Sequence, residues 1–159
     1  MKIGVVSDTH LRDGEKLPAE LIAGLKGVEM ILHAGDLVVL GVIGELERIA
    51  PVKAVRGNMD GPAVRDRLPA KQIIEAAGRR IGLIHGSGAP LLLAERLRRE
   101  FEGVDVIVFG HSHQATRAMV DGVLMLNPGS PTDHSFTPRR SYGIIELRET
   151  IETEIVGLP

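Results

Sequence analysis

The sequence predicts an α/β protein, a four-layer αββα sandwich of two mixed β-sheets flanked by helices. Strand and helix patterns alternate at the start of the chain. Hairpin patterns dominate its second half, and an apolar helix followed by a core strand lies between the two regions. Such a mixture is best satisfied by two packed sheets with helices outside.

Each element has its own signal. Ile3–Val6 is a continuous β-rich run, and Pro18–Leu25 has helical spacing with Pro near its start. Val28–Leu32 and Val52–Val55 are further apolar runs on either side of a helical pattern, Val39–Ile49. This βαβαβ order predicts parallel strands whose loops gather beyond their carboxyl ends. Gln72–Ala76 and Arg80–Ile84 then flank Gly78 as the arms of a hairpin, where a second sheet begins. Pro90–Phe101 reads as a helix and Val104–Phe109 as a core strand. Thr116–Val120 and Val123–Leu126 bracket Asp121-Gly122, a strong hairpin signal, and Tyr142–Leu147 and Ile151–Val156 complete a mainly antiparallel carboxyl half. Asn127–Arg140, rich in Pro, Ser and Thr, is expected to be a long loop that can reach toward the strand ends.

With 159 residues and no linker or repeat, the chain is expected to form a single domain over residues 1–159. Its net charge of -2 gives no broad attraction for nucleic acid or membrane. Without Trp, and with one Tyr and three Phe, it also lacks the usual base-stacking inventory, so general nucleic-acid binding is not expected. The absence of Cys excludes thiolate metal sites and suits a reducing compartment. No stretch has the length of a membrane span, and the apolar start breaks at Asp8, so the expected location is cytoplasmic.

The chemistry-bearing residues sit immediately after the core strands. The strand endings are Ser7-Asp8-Thr9-His10, Ala34-Gly35-Asp36, Arg56-Gly57-Asn58, His85-Gly86 and Gly110-His111-Ser112-His113. Seven metal-type ligands from five loops suffice for two ions. Carboxylate, amide oxygen and imidazole together suit manganese first, with Fe, Zn, Co or Ni also compatible, better than calcium. The adjoining glycines permit tight turns and close approach of backbone to an ion or phosphate.

These motifs resemble the calcineurin-like metallophosphoesterase superfamily, and within it the small bacterial and archaeal phosphodiesterases of the YfcE type. The likeness spans nearly all of Lys2 to Leu147 and includes Asn127-Pro128-Gly129-Ser130. It implies the metallo-dependent phosphatase fold. It also implies that Asp8, His10 and His113 hold one divalent ion, that Asn58, His85 and His111 hold a second, and that Asp36 bridges both. Asp36, Asn58 and His111 are further expected to act in catalysis. The implied reaction is hydrolysis of a small-molecule phosphodiester by a hydroxide shared between the metals. Larger members place His directly after the Asn; here Met59 stands there, with Asp60 next in the chain. A thioether cannot donate a proton, so the general acid is unassigned and activated leaving groups are expected to react best.

Other polar residues have plainer readings. His33 is expected to be buried, orienting Asp36 or packing the strand, because the ligand shells are already full. Arg56, Arg65 and Arg67 read as solvated loop charges, and the roles of Asp133 and His134 stay open. Two alternatives to the diesterase are a noncatalytic interaction scaffold of the same fold, as in a retromer subunit that lacks part of the ligand set, and a phosphomonoesterase. The complete ligand set favours an enzyme. A homodimer is the base-rate expectation for assembly.

Overall fold

The computed structural model describes all of residues 1–159. Its strands are β1 (Lys2–Val6), β2 (Met30–His33), β3 (Val52–Ala54), β4 (Lys71–Ala76), β5 (Arg79–Ile84), β6 (Val106–Val108), β7 (Thr116–Val120), β8 (Val123–Asn127), β9 (Ser141–Leu147) and β10 (Ile151–Gly157). The helices are α1 (Ala19–Gly24), α2 (Gly41–Glu47), α3 (Pro62–Arg65) and α4 (Leu93–Arg98). One sheet has the order β10-β9-β1-β2-β3 and the other β4-β5-β6-β8-β7.

Alternation along each strand makes the layers. Ile3 and Val5 of β1, Leu32 of β2, Val106 and Val108 of β6, and Leu124 and Leu126 of β8 point into one core between the sheets. Their neighbours point outward. Val6 and Ile31 pack with Leu21, Val42, Leu46 and Val64 of α1, α2 and α3. Ile107 and Met125 pack with Leu93 and Leu97 of α4. The expected αββα arrangement is therefore present, and both sheets are mixed.

Three details differ from the sequence reading. The carboxyl half is less antiparallel than expected, because β6 runs parallel to both β5 and β8. The Pro90–Phe101 helix contracts to α4. Leu92 sits at its amino end with φ 55°, and the Arg96 guanidinium donates to the carbonyls of Ser87, Ala89 and Leu91, holding the preceding segment as a loop. The short α3 was not expected from periodicity; extended Gly61 leads into Pro62, a residue preorganised for a first helical turn.

Candidate metal centre

The functional residues lie at one end of both sheets. Asp8 and His10 follow β1, Asp36 follows β2 and Asn58 follows β3, whereas His85 follows β5 and the pair His111 and His113 follows β6. Backbone hydrogen bonds join these loops. The Asp8 N–H donates to the Gly35 carbonyl and the His10 N–H to the Asp36 carbonyl, both at 3.0 Å, while Gly110 N–H donates to the His85 carbonyl at 3.0 Å. Across the sheets, the His111 N–H reaches Asp8 Oδ2 at 3.1 Å.

All seven residues singled out in the sequence come together. His10 Nε2 and His113 Nε2 are 3.1 Å apart, and Asp8 Oδ1 lies 3.4 Å from His113 Nε2 and 3.8 Å from His10 Nε2. On the other side, Asn58 Oδ1 is 3.1 Å from His85 Nε2 and 3.0 Å from His111 Nδ1. Asp36 Oδ2 stands between the groups, 3.6 Å from His10 Nε2 and 3.2 Å from His85 Nε2. Asp8 Oδ1 also lies 3.9 Å from His85 Nε2.

The outer nitrogens of three imidazoles define their orientation. His85 Nδ1 is 2.7 Å from the Ala34 carbonyl, and His111 Nε2 is 2.8 Å from the Gly88 carbonyl. A carbonyl only accepts, so each contacting nitrogen carries the proton and the opposite nitrogen offers its lone pair inward in the neutral ring. His113 makes the corresponding contact with a carboxylate, Asp133 Oδ2 at 2.5 Å.

The local backbone is unusual. Asp8, His10, Asp36, His111 and His113 all adopt positive φ, between 44° and 71°. Such conformations cost energy for residues other than Gly, so the surrounding bonds must hold them. A Cβ on Gly57 would fall 2.1 Å from Asp36 Oδ1, and one on Gly110 would fall 1.9 Å from Ser7 Oγ and 2.7 Å from Asp8 Oδ2. The two glycines leave the space these carboxylates occupy.

Electrostatics sharpen the picture. Burial opposes ionisation of Asp8, but the imidazoles of His10 and His113, the charge of His85 and the Ser7 hydroxyl outweigh it, holding the carboxyl well below its ordinary range. Burial likewise opposes ionisation of Asp36, while His85 and the Met59 N–H lower it on balance. Burial disfavours charging His85, yet Asp36 and Asp8 raise it. The nearby Asp8 carboxylate is the largest influence on His113; burial opposes it, Asp133 reinforces it, and the imidazole is pushed up to about 9.

These residues fit divalent cations. Asp8 Oδ1 is buried without a hydrogen-bond donor, although three imidazole nitrogens lie within 4 Å. The separation of His10 Nε2 and His113 Nε2 matches two adjacent ligands at metal–nitrogen distances of about 2.1 Å. Asp8, His10 and His113 form one compact donor group, and Asp8, Asp36 and His85 a second. A cavity of about 1150 Å³ opens over the cluster and is lined in part by His10, Asp36, Asn58, His111 and His113.

The supporting residues were harder to read from sequence. His33 is wholly buried as expected, and burial lowers its pKa to about 3. Its Nδ1 accepts from the Gly35 N–H, so its neutral Nε2–H donates to Thr9 Oγ1, 3.2 Å away. It therefore braces the turn before Asp36. Asp60 is buried and accepts from the N–H groups of Asp36, Val38 and Gly57. Arg65, read as a solvated charge, donates to the Asn58 carbonyl at 3.0 Å, while Arg56 donates to the carbonyls of Arg65 and Leu68. The Asn127–Arg140 loop does reach the site: Ser130 Oγ donates to the Asp8 carbonyl at 2.7 Å, and Thr132 Oγ1 to the Thr9 carbonyl at 2.8 Å. The sequence pointed to that approach through the length and composition of the loop, but not to the bonds that make it.

This fold and this set of carboxylate and imidazole donors are those of the metal-dependent phosphoesterase class. The family model described as a calcineurin-like phosphoesterase superfamily domain matches residues 1–150, and the chain belongs to that superfamily. It is 41% identical to a protein of Methanothermobacter thermautotrophicus named "Probable metallophosphoesterase", over 98% of this chain and 92% of that one. A phosphodiesterase of Methanocaldococcus jannaschii is 30% identical, covering 98% of this chain and 99% of its own length. Among solved structures, Vps29 from Entamoeba histolytica in complex with zinc has the same fold, with a TM-score of 0.75 and 23% identity over 99% of both chains.

Proposed function

We propose that this chain is a dinuclear phosphodiesterase acting on a small molecule, with Asp8, His10, Asp36 and His113 around one divalent ion and Asp36, Asn58, His85 and His111 around the other. Manganese is the first choice of metal, and a reducing cytoplasmic setting suits the cysteine-free chain. The position of Asp36 Oδ2 between His10 Nε2 and His85 Nε2 carries the reading. Phosphodiester preference follows the similarity to the Methanocaldococcus enzyme.

Two bound divalent ions would lower the proton affinity of a shared water and neutralise charge growing on the phosphoryl oxygens. The chain's residues supply preorganisation. The Met59 N–H donates to Asp36 Oδ1 at 2.8 Å, leaving Oδ2 turned toward the imidazoles. The Ser7 hydroxyl at 2.6 Å and the His111 N–H bind Asp8 Oδ2, which likewise leaves Oδ1 facing the ligand group. Fixing these donors before substrate arrives removes reorganisation from the reaction. Next to Asn58, exposed Met59 brings no proton to a departing oxygen, and Asp60 is committed to backbone donors. Substrates with stable leaving groups are therefore favoured.

Metal binding alone does not distinguish an enzyme from a noncatalytic scaffold of the same fold. Turnover does. Metal-stripped protein should hydrolyse a chromogenic phosphodiester when manganese is restored, prefer it to the matching monoester, and lose at least a hundredfold in rate as Asp36→Asn, roughly the scale of losing a strong charge-stabilising group. A monoester preference would replace the diesterase reading. Absence of turnover with every divalent metal, in folded protein that binds metal, would favour the scaffold.

A further inference from the structure

We infer that Asp133 is a positioning residue for the metal centre, orienting His113 through Nδ1 so that Nε2 faces Asp8 and His10. The inference rests on the proposed metal centre, but concerns a loop residue outside the seven proposed ligands. Asp133 Oδ2 lies 2.5 Å from His113 Nδ1. Because a carboxylate only accepts, this contact places the proton on Nδ1 and leaves Nε2 to face Asp8 Oδ1 and His10 Nε2 in the neutral ring.

Asp133 is held for that task. Its side chain is only 10% exposed, and its N–H donates to Ser130 Oγ at 3.0 Å. Ser130 and Thr132 in turn fasten the segment to the carbonyls of Asp8 and Thr9. The other carboxylate oxygen, Oδ1, accepts from the Ser135 N–H at 2.7 Å, and the Phe136 N–H is shared between the two oxygens at 3.3 Å from each. These bonds place the Phe136 ring edge-on to His113, with centroids 5.9 Å apart. The carboxylate thus links the ligand ring to the mouth of the cavity. Its ionised partner also distinguishes His113 from His85 and His111, whose outer nitrogens meet neutral backbone carbonyls.

Asp133→Asn separates orientation from loop building. Its carbonyl oxygen can retain the Ser135 and Phe136 contacts while its NH₂ faces His113. That donor favours an accepting Nδ1 and a protonated Nε2, the wrong tautomer for a ligand. Cobalt(II) titration of metal-stripped full-length protein, followed by visible absorption, should show one of two equivalents weakened by about 10- to 100-fold with altered bands, the other unchanged. Thermal unfolding of metal-free Asp133→Asn should fall less than that of Asp133→Ala, because only the His113 contact is lost. Asp133→Ala should show the same selective loss with an added fall in unfolding temperature. Parental cobalt affinities and spectra in Asp133→Asn would overturn the inference, as would equal weakening of both equivalents accompanied by general destabilisation. If the parent itself binds no cobalt, the underlying metal-centre reading fails; parental binding with an unaffected variant rejects only the role of Asp133.

Discussion

Replacing Asp60 by Asn tests whether the residue after Met59 is a backbone clamp or a proton donor. Asp60 Oδ2 accepts from Asp36 N–H at 3.0 Å and Gly57 N–H at 2.6 Å, while Oδ1 accepts from Val38 N–H at 2.6 Å. The asparagine oxygen can retain the first pair, but its NH₂ then confronts the Val38 N–H. An unsatisfied donor costs about 1–3 kcal/mol, and converting two charge-assisted bonds to neutral ones costs roughly another 1 kcal/mol. Asp36 and Val38 have φ of 56° and 71°, so the weakened bonds also restrain conformations that are costly for these residues. A total loss of about 2–4 kcal/mol lowers the midpoint by roughly 4–16 °C at this chain length. Thermal unfolding in chelator should reveal that shift, and manganese titration should show weaker binding because Asp36 is no longer held. An unchanged midpoint and metal affinity, with a rate loss that grows as the leaving group becomes poorer, would refute the clamp and establish acid catalysis.

Met59→His restores an ionisable group beside Asn58 at an exposed position, so destabilisation should stay within about 0.5 kcal/mol. Turnover of substrates with poor leaving groups should rise by about tenfold or more, a modest general-acid gain, while chromogenic substrates change little; equal changes for both would reject leaving-group assistance. The metal-free protein should lose stability as pH rises from about 6.5 through about 9, because His113 and His85 have raised pKa values and their stabilising charged forms disappear. Metal affinity should rise over the same interval, since the neutral imidazole is the ligand. Urea midpoints in chelator and manganese titrations at several pH values check both trends, and flat profiles would contradict the proposed coupling.

Asp8, Asp36 and the His111/His113 pair were legible because each comes directly after an apolar strand pattern, and parallel strand ends share an edge. The sequence placed the start of a second sheet at Gln72–Ile84, but not the alignment of the two sheets that brings the ends of β1, β2 and β3 in one beside those of β5 and β6 in the other. Nor did it show the clamp at Asp60, because backbone N–H groups carry no side-chain signature and Asp36 and Asp60 are brought together only by folding. Asp133 was visible as a loop carboxylate, but its approach to His113 depends on Ser130 and Thr132 tying that loop to the β1 ending. The sequence alone determined the αββα class, from periodicity, and the donor types available, from residue chemistry. Tertiary structure decided which imidazole nitrogen faces inward and which carboxylate oxygen is left without a donor, because both are set by partners distant along the chain.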